Sequence, residues 1–588
     1  MEKLSGGEVK EALQRQIAEG YYGEAEQTLQ EYLARPEALY DDILAIYDAG
    51  IGEYYGDEER RWEAIRRGLR INSRNYELYV MLGNYYLDKN LNQSWLCYEN
   101  ALFYCDNEAD QFQIENLMQQ LKDTWGGVSV RKTAVILLSW NLLEYTKLCI
   151  KSIRETVPED VRQIIVVDNA SEDGSVEWLR GQKDILLIEN QENRGFPAGC
   201  NQGIAAADAD ADIFLLNNDT ILPENALFWL RMGLYESEKN GAAGSVSNCV
   251  GNHQQAGGIR GDGDLPDLFA HAEKTNVPMK YPYEKKLYLV GFALLIKRPV
   301  LEQVGMLDER FSPGNFEDND YGLRVLEAGF YNILCKNSFV IHFGSRSFGK
   351  NIESFQEVME SNLERLNEKW GFQIKYYLHP REILAEQIAE PLEKEIRLLD
   401  VGCGCGAFMG HMQGKYPHAS VYGIELFSKA AGFAETMGEV ICGDVEHMEF
   451  PWPEGFFDYM VFGDVLEHLD DPQAVLTRLA RCLKTGGHII VSMPNIKHWS
   501  VMLPLLLEDK FTYEDAGILD RTHRKLYTGR EIAGLLTRSG YRVETLAGIT
   551  RGETDEQRRK LSGFLSGLGL PDIEAFFNYQ YLAKAVKE

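Results

Sequence analysis

The stretch FLLNNDTILPEN, Phe214 to Asn225, decides how the middle of this chain is read. An apolar, strand-like run stops on two asparagines and an aspartate, then drops into a turn at Pro223. Standing alone, such an ending closes a turn through hydrogen bonds from Asn and Asp side chains to nearby backbone. It does not stand alone. From Thr133 the chain alternates short apolar strands (TAVILLSW, QIIVVDNAS, DILLIEN, DIFLLNNDT) with helical stretches, the pattern of a mostly parallel sheet with helices on its faces. In open sheets of this kind ligands bind at the carboxyl ends of the strands. Asp168 and Asn169 end the second strand, NRGFPAGCNQG (193–203) follows the third, and Asn217, Asn218 and Asp219 end the fourth.

The whole chain sets the frame. Its 588 residues exceed one core and suggest three or four domains. Sixty basic against 90 acidic residues give a formal charge of -30, which repels phosphate backbones and anionic lipid surfaces, so no nucleic acid partner is expected. Ten scattered cysteines form no CxxC pair and no zinc-type cluster, so a reducing, cytoplasmic setting is expected. The N-terminal MEKLSGGEVKEALQRQ has no apolar signal core. The longest clean apolar run, LYLVGFALLI at 287–296, is far short of a membrane span, so no integral membrane segment is expected.

The fold class expected is multidomain: an α-helical repeat followed by two α/β domains. In residues 1–127, Trp62, Gly68 and Leu69 recur 33 residues later as Trp95, Ala101 and Leu102, and LGNYY (82–86) carries the small and aromatic pattern of a tetratricopeptide-like helix pair. A plain helical bundle is the other reading; it would lack a concave groove. Residues 128–375 form the first α/β domain, 376–394 a connector, 395–550 a second α/β domain opening at IRLLDVGCGCG, and 551–588 a helical tail.

The middle domain is similar to a family 2 glycosyltransferase of the GT-A, Rossmann-like nucleotide-sugar fold over about Thr133 to Lys350. The resemblance rests on DNASEDGS (168–175), NRGFPAGCNQG, LLNNDT (215–220), GFALLIKRPVLEQVGMLDERF (291–311) and FEDNDYGLR (316–324). It implies a nucleotide-sugar donor, a dTDP-sugar or a UDP-sugar, contacted by Asp168, Asn169, Arg194, Asn201, Asn217, Asn218 and Asp219. It makes Asn217 to Asp219 the counterpart of a metal-binding Asp-x-Asp, with Asn217 in place of the first aspartate. Asp219 is then the metal ligand for Mg2+ or Mn2+, and His342, in VIHFGSRSF, is a second candidate that approaches the metal or the diphosphate, a structural histidine after a strand being the plain alternative. An inverting displacement needs a base on the acceptor hydroxyl; Asp318 of FEDND is the first candidate and Glu317 the second, while an acidic helix cap is the plain alternative. Asp320 and Arg324 are left to structural pairing.

The last α/β domain resembles a class I, Rossmann-like S-adenosylmethionine-dependent methyltransferase. LLDVGCGCGAF has an acid before its glycines, VYGIEL places a carboxylate at a second strand end, and ICGDVE places one at a third. The resemblance implies cofactor contacts at Asp400, Gly402, Gly404, Gly406, Glu425, Asp444 and Asp464. His468 in LEHL and His523 in DRTHRKLYT are candidate catalytic bases. The chain is thus expected to be bifunctional, acting on a glycan or glycoprotein acceptor, with its repeats offering a surface to a protein partner. The alternative is a repeat-based scaffold in which one or both catalytic modules are inactive.

Overall fold

The computed structural model describes all residues except 1–4, 36–40, 126, 260, 262, 345–351, 552–553 and 568–571. The SRSFGK end of the stretch that resembles a glycosyltransferase therefore lies outside the described residues. The chain divides into two compact units, Met1–Lys369 and Trp370–Glu588. Among the described residues no helix is long and apolar enough to cross a membrane.

The first unit opens with α-helices from Gly6 to Gln120, several of which start where polar side chains cap free amides. Ser5 and Glu8 form a capping box, Asp57 caps Arg60, Asn75 caps Leu78, and Asn90 and Asn107 each accept from two amides. Trp62 and Trp95 fall on the helices Glu58–Ile71 and Leu91–Tyr104. Small residues of these helices are sites of close packing. A Cβ on Gly83 would lie 2.4 Å from the Tyr98 ring, and one on Gly68 would lie 2.5 Å from Leu78.

Beyond the helices lie strands β1 (Thr133–Ser139), β2 (Arg162–Asp168), β3 (Ile185–Glu189), β4 (Asp212–Asn217), β5 (Thr220–Ile221), β6 (Asn240–Ser247), β7 (Tyr283–Lys286), β8 (Ala293–Ile296) and β9 (Tyr331–His342). They form one sheet in the order β3-β2-β1-β4-β8-β6-β9-β5, with β7 also on β9. β1 to β4 run parallel, and their buried Val, Ile and Leu are covered by helices on both faces. Register aligns their carboxyl ends: Ser139 lies opposite Asp168, Asp168 opposite Glu189, and Leu138 opposite Asn217.

The end of the FLLNNDTILPEN stretch docks the helical region. Asn225, in the left-handed conformation, accepts from Asn100 Nδ2 at 3.2 Å and Tyr104 Oη at 3.1 Å and donates to the Ser73 carbonyl at 3.1 Å. The helix Ala226–Leu234 follows, with Arg231 paired to Glu99 and Gln93 donating to the Met232 carbonyl at 3.0 Å. Part of the helical region's surface is therefore buried against the sheet domain.

The second unit carries β10 (Ile396–Val401), β11 (Ala419–Glu425), β12 (Glu439–Cys442), β13 (Phe457–Gly463), β14 (Leu483–Pro494), β15 (Tyr541–Thr550) and β16 (Asn578–Lys587) in the order β12-β11-β10-β13-β14-β16-β15. β16 pairs antiparallel with both β14 and β15. The expected helical tail is thus corrected. Asp555–Gly567 is helical, but the last residues supply an interior strand, buried on both faces at the consecutive residues Tyr581, Leu582 and Ala583 and again at Ala585 and Val586. The expected connector also differs: Tyr377 packs with Phe372 and Phe427, and its carbonyl accepts from Cys405 N at 3.2 Å, so the stretch folds onto the glycine loop. The helix Trp499–Glu508 lies at the surface, with Leu506 and Leu507 exposed.

Candidate active sites

At the end of β4, His342 Nε2 lies 3.3 Å from Asp219 Oδ1 and 3.5 Å from Asn217 Nδ2. The other ring nitrogen, Nδ1, faces the Cys249 carbonyl at 2.8 Å. A nitrogen facing a carbonyl carries the hydrogen, so in the neutral ring Nε2 keeps its lone pair toward Asp219. Asn248 fixes the strand here, accepting from His342 N at 2.9 Å and donating to the His342 carbonyl at 3.0 Å. Asp219 and His342 are both buried. A carboxylate oxygen and an imidazole lone pair turned toward each other fit a divalent cation between them.

Residues 291 and 292 link this pair to the acids of FEDND. Phe292 accepts from Asn217 N at 2.8 Å and its ring stacks on His342 at 5.2 Å, while Gly291 N donates to Asp318 Oδ2 at 3.2 Å. Asp318 and Glu317 begin the helix Glu317–Glu327 after a turn in which Asn315 and Phe316 hold φ near 75° and 72°. Such positions persist only when the surroundings over-determine them. Asn362 donates to the Phe311 and Gly314 carbonyls at 2.8 and 2.9 Å, and Phe196 N donates to Pro313 O at 2.7 Å. A helix N-terminus favours a carboxylate, yet burial wins: it pushes Asp318 up and Glu317 well up, the latter aided by the Asp318 charge. Glu317 Oε2 has no hydrogen-bond partner among the described residues. Asp320 pairs with Arg324 at 2.8 Å and Lys369 at 2.6 Å.

The remaining candidates divide. Asp168, fully buried, accepts from Ser171 N at 2.8 Å on one oxygen and from Ser171 Oγ at 2.6 Å on the other. Asn169 donates to Asn193 Oδ1 at 3.1 Å and accepts from Asn190 at 2.8 Å, which holds the start of the NRGFPAG loop; Arg194 in that loop is exposed. Two residues are committed elsewhere. The Asn201 amide braces the Leu307 backbone at 2.9 and 3.0 Å, and Asn218 donates to Thr146 Oγ1 at 3.0 Å.

In the second unit, Glu425 ends β11 and spans the glycine loop: Gly404 N donates to one oxygen at 2.8 Å and Phe427 N to the other at 2.9 Å. Gly402, Gly404 and Gly406 all have positive φ, and a Cβ on Gly402 would lie 2.5 Å from Val465. Burial pushes the Asp400 carboxyl up to about 7. Each oxygen of Glu425 retains a lone pair, and the close-packed glycine turn leaves backbone exposed above it, so these residues fit a ribose diol and its adenosyl group. Asp464, at φ 56°, accepts from Ser492 Oγ at 2.9 Å, from Gln580, and from Arg381 Nη1 at 2.9 Å. Asp444 is exposed and bonded to His447 at 2.8 Å. His468 and His523 meet with ring centroids 4.8 Å apart.

Sequence reasoning missed Arg381 and Glu467. Arg381 fell in the expected connector. Glu467 stood in plain view beside His468, but its burial could not be read from LEHL.

Two sheets, each with acids and amides gathered at the carboxyl ends of parallel strands, define a pair of Rossmann-like units. Residues 134–305 match the family model of glycosyl transferase family 2, and residues 370–546 match that of a methyltransferase domain. Two regions of the chain are thus similar to known transferase domains, the first to glycosyl transferase family 2 and the second to a methyltransferase domain. Among curated proteins it is 29% identical over 167 residues to an uncharacterized 37.1 kDa protein in a transposon of Streptomyces fradiae, covering 27% of this chain and 47% of that protein. It is 28% identical over 174 residues to a ubiquinone biosynthesis O-methyltransferase of Marinobacter nauticus, covering 26% of this chain and 67% of that protein. The chain thus spans about half the length of the first of these relatives and two thirds of the second. A crystal structure of GalNAc-T7 with UDP, GalNAc and Mn2+ aligns with a TM-score of 0.34 at 12% identity, over 44% of this chain and 52% of that one.

Proposed function

We propose that the chain is a bifunctional transferase of glycan or glycoprotein assembly. Its first unit moves a sugar from a nucleotide-sugar donor to an acceptor hydroxyl with inversion, and its second methylates a glycan hydroxyl from S-adenosylmethionine. The observation that carries this reading is that each sheet has its own carboxylates at the ends of its parallel strands, Asp168 and Asp219 on one, with Asp318 at the start of the helix Glu317–Glu327 beside them, and Asp400, Glu425 and Asp464 on the other.

In the first unit Asp219 and His342, with Asn217 beside them, would hold Mg2+ or Mn2+, which supplies positive charge against a leaving diphosphate. Asp168, Asn169 and Arg194 would hold the nucleotide. Asp318 takes the acceptor proton at Oδ1 or Oδ2; its raised affinity for a proton suits it to that work near neutral pH. Asn201 and Asn218 serve as braces. In the second unit Asp400, Gly402, Gly404, Glu425 and Asp464 would hold S-adenosylmethionine, which supplies an electrophilic methyl group, with Asp444 at the adenine end and Gly406 starting the helix Ala407–Lys415. His468 and His523 act on the acceptor hydroxyl.

Residues 1–127 meet an acceptor or protein partner through tetratricopeptide-like faces not taken by the helix Ala226–Leu234. The scaffold alternative is disfavoured by the retained acids. Donor hydrolysis and S-adenosylmethionine binding by the purified chain test the reading, and mass spectrometry of glycans from cells with and without the chain identifies the products. Absence of both activities would leave the scaffold.

A further inference from the structure

We propose that Glu467, His468 and His523 form a divalent-cation site in the methyltransferase unit, separate from Asp219 and His342 and suited to a first-row transition cation. One ligand atom from each of the three lies within 4.8 Å of the others. Glu467 is only 1% exposed, and neither carboxylate oxygen has a hydrogen-bond partner among the described residues. A buried carboxylate in that state is costly unless a proton or a cation compensates it.

The imidazoles are oriented for ligation. His468 Nδ1 lies 3.3 Å from the Thr522 carbonyl and 3.1 Å from Thr522 Oγ1, and that hydroxyl donates in turn to Asp520 Oδ1 at 2.6 Å. His523 Nδ1 lies 2.9 Å from the Ile518 carbonyl. Each Nδ1 therefore carries the hydrogen and each Nε2 keeps its lone pair, the arrangement by which an outer carbonyl fixes the tautomer of a metal-binding histidine. The two parts of the site are tied together, because Arg524 N and Lys525 N donate to the Glu467 carbonyl at 2.9 and 3.1 Å. Asp464 and Asp520 add negative field around Glu467, opposed by Arg381.

Two imidazole nitrogens and one carboxylate oxygen favour Mn2+, Fe2+, Co2+ or Zn2+ over Mg2+, which prefers oxygen ligands. Three protein ligands leave positions open for water or for an oxygen of the acceptor. That last role deepens the methyl-transfer reading and rests on it: His468 and His523 would act on the acceptor hydroxyl through the cation that they hold, which would lower its pKa. The cation site itself does not depend on that reading.

The test uses the full chain, free of any polyhistidine tag, in an Asp219→Asn background that weakens the sugar-site cation, with Co2+ as the probe. Visible absorption and equilibrium dialysis are expected to show one Co2+ per chain. Glu467→Gln and His523→Ala, each added to that background, are expected to weaken it at least about tenfold with unchanged melting curves. Glu467→Gln, nearly isosteric, carries the test alone if His523→Ala misfolds. No Co2+ in the background protein, or an affinity untouched by Glu467→Gln, overturns the site. Calorimetry of S-adenosylmethionine on the metal-free chain separates the two readings: its failure removes methyl transfer and leaves the cobalt result standing.

Discussion

His342 Nε2 and Asp219 Oδ1 face each other across 3.3 Å although 123 residues separate them, and in the neutral imidazole the Cys249 carbonyl on Nδ1 leaves the facing nitrogen without a hydrogen. Two acceptors held so close call for a cation or a proton between them.

From that pair follows a dependence of sugar transfer on divalent cation. Asp219→Asn is expected to lower the rate by about two orders of magnitude or more, the scale of removing a preorganised charge partner, with the fold intact because the swap is nearly isosteric. His342→Ala should raise the cation concentration needed for half-maximal rate about tenfold or more. Full activity of Asp219→Asn in EDTA would remove the metal from the reaction.

Asp318 is expected to act in the chemical step. Asp318→Asn should leave donor affinity near normal and cut kcat by about a hundredfold to ten-thousandfold. A base works deprotonated, and burial raises the Asp318 pKa. In the wild type kcat/KM should therefore fall with decreasing pH through a midpoint above the ordinary carboxylate range, and that limb should be missing from the variant's residual rate. Collapse of donor affinity instead would make Asp318 a binding group.

The two sites are expected to be separable. Glu425→Ala should weaken S-adenosylmethionine by on the order of 1.5 to 3 kcal/mol, the value of a hydrogen bond to a charged group, and leave sugar transfer unchanged. Asp219→Asn should do the reverse when the methyltransferase is given a ready-made glycosylated acceptor. Loss of both activities in either variant, with circular dichroism and melting unchanged, would mean that the sites are coupled.

Asp400 should make stability depend on pH. Its carboxyl moves from an ordinary 3.8 to about 7 on burial, so the folded chain holds the proton more tightly than the unfolded one. That stabilisation is complete below about pH 4 and is lost as pH rises through about 7. The full swing is about 4 kcal/mol. Asp400→Asn removes it, so the difference in melting midpoint between wild type and variant should change by several degrees across that window. A constant difference would mean that Asp400 titrates normally.

The sequence by itself determined the alternation of strands and helices, the polar strand ends after IIVVD and FLLN, and the glycine loop after LLDV. These are local signals, written in the period-two burial of a strand and in turn residues that only glycine suits. It also placed Asp219 and Asp318 among the acids worth testing. Tertiary structure alone decided which of them meet. Asn201 and Asn218 stand in the right motifs, yet their amides brace Leu307 and Thr146, a choice made by how helices seat on the sheet. The tail read as helix became β16 because β14 and β15 left an interior position whose backbone donors and acceptors had to be paired. Arg381 reaches Asp464 from 83 residues away, and Glu467 is buried where the distant Arg524 and Lys525 amides meet its backbone carbonyl. Such pairings depend on register and burial between distant segments, which no local period encodes.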